Sequence, residues 1–294
     1  MTSSEAPVRY VRPESVQAAI EVLSREDDAV IVAGGIVVGS LINQHLATPS
    51  VLVDIGRIKE LKSITADTEG ALLIGALVTH NEILKSVEIA RRAPLLVHIA
   101  KDISCERLRN RGTLGGSLCT VGGQGDPATG LIALGATITL GGKASKRDMA
   151  IEDFYTDGFS TAIKADELLE YVRVPDRRDG SIEGFCKIGP RSAMDFTQIT
   201  VAIALECDGS GTITAVRVGV NGLAPVALRA KQAEMALTGQ RRDAIDWSKA
   251  TQALQEDIRP DEDIIFSATY KRHLGAVALR RAAEDAFSSL TAQE

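Results

Sequence analysis

Aromatic side chains make up only 4% of this chain, with one tryptophan in 294 residues, so apolar burial has to come from Ala, Val, Leu and Ile. Metal-binding patterns are missing as well. The four cysteines (Cys105, Cys119, Cys186, Cys207) show no CxxC spacing, and the four histidines (His45, His80, His98, His273) form no HxxxH or HExxH pair. That predicts no metal of the chain's own and thiols that are reduced and mostly buried. There is no excess of positive charge: a formal net charge of −6 argues against non-specific nucleic-acid binding, which needs a basic face. The longest strongly apolar stretches, Ala29 to Ile42 and Ala71 to Val78, are short of a membrane span, and glycines interrupt both. The amino terminus, MTSSEAPVRYVRPESV, lacks an apolar core, so no signal peptide is expected and the chain reads as cytoplasmic. Nucleophilic triads and paired-carboxylate hydrolase patterns are absent. Gly141-Gly142-Lys143 runs into Ala144 without the upstream glycine of a Walker A loop, which argues against an NTPase.

Glycine is what the chain has instead. The stretch Arg109 to Asp126, RNRGTLGGSLCTVGGQGD, holds six glycines and closes on Asp-Pro. A shorter stretch, Ala33-Gly34-Gly35, follows the apolar run Ala29 to Val32. Glycine at this density means a backbone that approaches something closely or turns where a β-carbon forbids it. Backbone N–H groups in such loops can converge on a phosphate, and Thr113 and Ser117, flanking Gly115-Gly116, add hydroxyls. A ligand cradle and tight structural turns are both open readings of these loops. Asp126 reads either as a helix cap or as an acceptor for a ligand hydroxyl. Lys187 and Arg191 read either as a solvated edge or as cations facing a ligand.

The length fits two or three domains. Val16, Ile20 and Leu23 mark a helix over 13–23, and strands are expected at Val30 to Val32 and Val51 to Asp54. Between them, Ile36 to Leu46 reads as helix or irregular. This β-α-β plan is one that commonly holds nucleotides, although GxGxxG spacing is absent. Ser63 to Gly75 reads as a hairpin. Thr79-His80-Asn81-Glu82 has the form of a capping box, which would put His80 on the surface of a first turn. A helix over 89–103 broken near Pro94, a helix from Ala128 to Leu134 behind Asp126-Pro127, and strands over 137–140 and 167–174 follow. After the polar break at Pro175 to Gly180, a three-strand meander over 184–188, 197–206 and 212–220 precedes helices at Leu228 to Leu237, Trp247 to Glu256 and Tyr270 to Leu290.

The order AGG after a first strand, then LATPSVLVDI, IGALVTH, RNRGTLGGSL, GDP with LIALGA, DELLEYVRVP and FCKIGPRSAMDF, resembles the flavoprotein (medium) subunit of the xanthine dehydrogenase and carbon monoxide dehydrogenase family of molybdenum hydroxylases. The resemblance spans nearly the whole chain. It implies an α+β fold: a two-subdomain FAD-binding region of the PCMH type (1–60 and 61–176), then a carboxy-terminal α+β domain (177–294) with a three-stranded sheet and helices. It implies FAD held by Ala33, Gly34, Gly35, Ile36 and Val37 in one loop and Thr113, Leu114, Gly115, Gly116 and Ser117 in the other. Asp126, Leu169 and Lys187 would lie beside the cofactor. It further implies an electron-transfer role beside a large subunit with a molybdopterin cofactor and a small subunit with two [2Fe–2S] clusters, as a heterotrimer paired into a hexamer. The sequence departs from the family pattern at two places. Val37 stands where a Ser or Thr is usual, and Ser117 where an Asn is usual, each removing a side-chain donor or shortening it. Two rival readings follow: a stand-alone FAD oxidoreductase of the vanillyl-alcohol oxidase type, and a structural subunit that has lost FAD.

Overall fold

The computed structural model describes residues 8–120, 125–158, 160–178, 180–190 and 198–291. Among these residues, three sheets of three or more strands follow one another along the chain. The first is made by β1 (Arg9–Val11), α1 (Val16–Leu23), β2 (Ala29–Val32), α2 (Ile36–Asn43) and β3 (Val51–Asp54), with strand order β1-β3-β2, all parallel. Helix α1 forms because the Ser15 hydroxyl accepts from the Ala18 amide and because Val16, Ala19, Ile20 and Leu23 share one buried face. Strand β1 carries no pattern of its own. It is held by its register on β3, Arg9 opposite Val51.

The second sheet begins with the expected hairpin, β4 (Ile64–Ala66) and β5 (Leu72–Gly75), whose turn is closed by the Asp67 carboxylate accepting from the Glu69 and Ala71 amides. Six helices follow among the described residues: α3 (His80–Lys85), α4 (Val87–Arg92), α5 (Pro94–Lys101), α6 (Glu106–Arg109), α7 (Leu114–Leu118) and α8 (Asp126–Ala133). The break near Pro94 divides the expected long helix in two, because proline has no N–H to continue α4 but suits the first turn of α5. Then come β6 (Thr137–Gly141), β7 (Lys146–Ala150), a two-stranded ribbon β8 (Tyr155–Asp157) and β9 (Ser160–Thr161), and β10 (Leu168–Val174). The sheet order is β4-β5-β10-β6-β7, antiparallel throughout. Strand β7, Lys-Arg-Asp-Met-Ala, was invisible in the sequence because an edge strand needs no apolar pattern. Leu72, Ile74, Leu114, Leu118, Leu131, Phe154, Leu169 and Val172 share the core under this sheet.

The third sheet has four strands, not the expected three: β11 (Ile182–Ile188), β12 (Ile199–Cys207), β13 (Ile213–Asn221) and β14 (Leu228–Arg229). Leu228 and Arg229, expected to open a helix, instead pair with Val220 and Gly219. Arg229 is drawn there by Glu234, whose carboxylate accepts from both the Arg229 side chain and the Val218 amide. The helix starts later, as α9 (Lys231–Leu237), followed by α10 (Trp247–Asp257) and α11 (Ala268–Thr291). Helix α11 lies on β11 where Gly184 leaves room: a β-carbon there would stand 2.0 Å from the Ala282 carbonyl oxygen. No helix among the described residues is long and apolar enough to cross a membrane.

Helix α8 joins the second and third sheets. Its Thr129 hydroxyl is 2.7 Å from that of Thr200 on β12, both buried, and its Thr129 carbonyl sits where Gly219 of β13 has no side chain. The thiols depart from expectation: all four are free, but only Cys186 is buried, while Cys119 ends α7 at the surface.

Candidate functional site

The first glycine loop leaves β2 at Ala33. Gly35 takes the left-handed conformation (φ 72°) as the N-cap of α2, a backbone state that a side chain would strain. No side chain caps this helix. Its first-turn amides, which in any helix lack an intrahelical partner, therefore remain donors for a ligand. The flanking apolar residues are not covered: Ile36 is 37% and Val37 44% exposed, and α2 buries none of its residues. The neighbouring end of β3 is pinned by Asp54, whose carboxylate accepts from the Tyr10 hydroxyl, the Gly56 amide (2.8 Å) and Arg12 (2.8 Å). Burial pushes the Asp54 carboxyl up, but these hydrogen bonds and the Arg12 charge hold it below the usual carboxylate range.

The second loop is closed where the first is open. The Leu114 amide donates to Val78 O (2.9 Å), Gly115 to Ala76 O (2.9 Å), Gly116 to Thr113 Oγ1 (3.1 Å) and Ser117 to Thr113 O (2.9 Å). The expectation that these amides face a phosphate is therefore corrected: the chain itself uses them. Glycine is needed here for packing. A β-carbon on Gly115 would stand 2.7 Å from Ala76 Cβ, and one on Gly116 would stand 2.8 Å from Thr113 Oγ1. From Leu114 to Ser117, what this loop can offer a ligand is side-chain hydroxyl, at Ser117, beside the hydroxyl of Thr113.

The two loops touch. A β-carbon on Gly34 would stand 1.9 Å from the Arg111 carbonyl oxygen, so only glycine admits this approach. Arg111 closes the contact from the other side, donating from Nε (3.2 Å) and a terminal nitrogen (3.0 Å) to Gly34 O. From Ser117 the contact continues to Gly125, where a β-carbon would stand 3.0 Å from the Ser117 carbonyl oxygen, and then to Asp126. Gly125, not Asp126, is the N-cap of α8, and Asp126 occupies its first turn. Its carboxylate lies 2.6 Å from Lys187 Nζ, which also donates to Asp102 O (3.1 Å). With side-chain exposures of 4% for Asp126 and 13% for Lys187, this is an internal ion pair, and the solvated-edge reading of Lys187 is overturned. Arg191 and residues 121–124 of the glycine stretch lie outside the described residues. Leu169 is in the core with Leu114 and Leu118, on the strand whose Glu170 carbonyl accepts from the Ala76 amide.

His80 is not on the surface. It is 3% exposed, with its amide donating to Gly112 O (3.0 Å) and its Nε2 2.8 Å from Ser117 Oγ. The capping box was read correctly: Thr79 and Glu82 exchange both hydrogen bonds. The segment pairs with the second loop through a Thr79–Thr113 bridge, and that covers the ring. Burial, then the nearby Arg109 charge, lowers the His80 pKa to about 4, so it is neutral near pH 7. A cleft of about 750 Å³ elsewhere on the molecule, between Arg92, Arg177, Arg217 and Glu234, includes no residue of either glycine loop. Its arginines are engaged by carboxylates, Arg92 by Asp176 and Arg217 by Glu152.

Residues 6–177 match the family model described as the FAD binding domain in molybdopterin dehydrogenase. The chain belongs to that family. Residues 185–286 match the CO dehydrogenase flavoprotein C-terminal domain. The nicotine 6-hydroxylase medium subunit of Paenarthrobacter nicotinovorans is 30% identical over 274 residues, 93% of this chain and 95% of that one. The carbon monoxide dehydrogenase medium chain of Hydrogenophaga pseudoflava is 28% identical over 95% of this chain and 96% of that one. A solved carbon monoxide dehydrogenase from Hydrogenophaga pseudoflava superimposes with a TM-score of 0.91 at 28% identity, covering 97% of this chain and 99% of that chain. Quinoline 2-oxidoreductase from Pseudomonas putida 86 does so with a TM-score of 0.88 at 28% identity, covering 98% and 99%.

This molybdopterin-dehydrogenase FAD subunit, part of an oxidoreductase, has a donor set that suits the anionic, part-apolar cofactor of its family. An uncapped helix start with exposed Ile36 and Val37 meets a guanidinium at Gly34, and the second loop adds the hydroxyls of Thr113 and Ser117. Arg111 and His80 were both missed in the sequence. A cation two residues before Thr113, inside a glycine run, was a usable signal for Arg111. For His80 there was none, since a capping-box position is ordinarily exposed.

Proposed function

We propose that this chain is the FAD-carrying electron-transfer subunit of a multi-subunit molybdenum hydroxylase. In this reading it takes electrons from two [2Fe–2S] clusters on a small partner subunit and passes them to an external acceptor. Substrate is oxidised at a molybdopterin cofactor on a large partner subunit, and the three chains form a heterotrimer paired into a cytoplasmic hexamer. The chain divides at 1–60, 61–176 and 177–294, the first two units holding FAD between them. The observation that carries the proposal is the direct contact of the two glycine loops through Gly34 and Arg111 beside the uncapped start of α2.

Bound FAD supplies the redox chemistry, and the protein supplies binding, orientation and electrostatics. The first-turn amides of α2 and the Arg111 guanidinium would hold the pyrophosphate, with Ala33, Gly34, Gly35, Ile36 and Val37 as one side of the site. Thr113, Leu114, Gly115, Gly116 and Ser117 line the other, where Ser117 and Thr113 offer hydroxyls and the glycines keep the loop thin. Asp126, anchored by Lys187, and Leu169, fixed in the core, limit where the flavin nucleotide can lie. The relatives are medium chains of complexes named for nicotine, carbon monoxide and glyceraldehyde. One architecture serving such unlike substrates supports a subunit that does not itself select substrate.

The test is the absorption spectrum of the purified native complex, with the flavin released by denaturation and identified by chromatography. Bands in the ~450 nm region beyond the iron–sulfur contribution, and one FAD per copy of this chain, are expected. A Gly34→Val complex should keep its partner subunits and lose flavin. A complex with no flavin would leave a scaffolding subunit, and substrate-dependent flavin reduction by this chain alone would make it a stand-alone oxidase.

A further inference from the structure

His80 is a buried ring clamped onto the second glycine loop at two points, and nothing in the proposed FAD site yet uses it. The ring lies against Gly112, where a β-carbon would stand 3.1 Å from His80 Cδ2, and its Nε2 is 2.8 Å from Ser117 Oγ. The other ring nitrogen, Nδ1, is buried with no hydrogen-bond partner among the described residues. A neutral imidazole has one N–H and one lone pair, so the two tautomers differ in what they leave unmet. With the proton on Nδ1, a buried N–H is orphaned and the Ser117 hydroxyl spends its proton on Nε2. With the proton on Nε2, only a lone pair is left unmet, the milder default in a protein interior.

We propose that His80 is a positioning residue for the FAD pyrophosphate: it donates from Nε2 to Ser117 Oγ and so commits the Ser117 hydroxyl proton to the ligand side of the second loop. The consequence is specific to this loop. The amides of Leu114 to Ser117 are consumed internally, so at Ser117 a side-chain donor is what is left, and a serine oxygen that already accepts one hydrogen bond points its proton elsewhere. Accepting from His80 also polarises the hydroxyl and strengthens its donation. This restores at Ser117 the donor that a longer amide side chain would have supplied directly.

The proposal rests on the FAD reading, and the experiment separates the two. In the full-length chain labelled with [15N]histidine, long-range proton–nitrogen correlations assign each tautomer; His80 is the signal lost in His80→Gln. Protonation at Nε2 is expected, and protonation at Nδ1 overturns the proposal whatever FAD does. Flavin fluorescence quenching on the deflavinated full chain then reads affinity. Ser117→Ala and His80→Asn should each weaken FAD about three- to tenfold, the worth of one hydrogen bond. His80→Gln, whose amide nitrogen reaches the Nε2 position, should stay within about threefold of wild type. Adding His80→Asn to Ser117→Ala should weaken binding no further. A second full loss in that double variant makes His80 merely structural and overturns the proposal alone. No FAD uptake by the wild type in the same assay overturns the cofactor reading instead. Thermal melts of every variant identify any that fail to fold, and the wild-type tautomer still decides the proposal.

Discussion

At the start of α2 the backbone is left open: Gly35 caps the helix with no side chain, and the flanking Ile36 and Val37 are exposed. At 113–117 four successive amides are engaged within the chain, Gly115 is packed on Ala76, and His80 closes the loop from behind. The two loops share a residue type and use it for opposite ends. Glycine in the first keeps donors accessible and lets Arg111 approach. Glycine in the second lets a short helix sit against β10 and α8 without a gap. A glycine-rich stretch is therefore not a count of free amides, because the same missing β-carbon admits a ligand or a neighbouring piece of chain.

On this contrast, packing changes around the second loop reduce stability, and changes to the exposed side chains of the first alter cofactor affinity with stability unmoved. The largest effect should come from Lys187→Met, which takes the ammonium away from the buried Asp126 carboxylate. About 3–5 kcal/mol of unfolding free energy should be lost in chemical denaturation, and a loss under about 1 kcal/mol would show that Asp126 is satisfied without the ion pair. Acid comes next. The His80 pKa falls from 6.5 to about 4 on folding, so between those values the unfolded chain takes up a proton that the folded chain refuses. Stability should therefore decline as pH drops through that window, by a contribution on the order of 3 kcal/mol, and His80→Gln should remove that part of the slope. Equal slopes for the two proteins would mean that the ring is not desolvated as described.

Gly115→Ala should follow, at about 1–3 kcal/mol, because its β-carbon must displace Ala76. Its melting temperature should drop in the FAD-free chain, marking a packing effect and not a lost ligand contact. The smallest expected change is Val37→Thr in the open loop. A hydroxyl there should tighten FAD by about one hydrogen bond, ~0.5–1.5 kcal/mol, read by flavin fluorescence, with an unaltered melt of the FAD-free chain. A shifted melt without tighter binding would place Val37 in packing and blur the distinction between the loops.

Much of the architecture was legible in the sequence. Period-four apolar spacing marked α1, apolar runs bounded by glycine or proline marked β2, β3 and β5, and Asp67 with Gly70 marked the hairpin turn. Among the elements that were missed, β1, β7 and β14 are short strands whose order comes from a neighbour's register. Within the candidate site, the glycines, Ser117, Asp126 and Lys187 were readable as polar or permissive positions. Their pairings were not. Lys187 meets Asp126 across 61 positions of chain, Arg111 meets Gly34 across 77, and His80 meets Ser117 across 37.

Local rules thus determined which segments become helix, strand or turn, and where the backbone is bare enough to approach something. Those properties depend on a residue and its near neighbours, through dihedral preference, capping and periodic burial. What the bare backbone approaches was decided only in three dimensions. The fold brings Arg111 to Gly34, spends the amides of the second loop and buries His80 beneath it. Burial and partner choice depend on distant segments meeting, and no spacing along the chain records that.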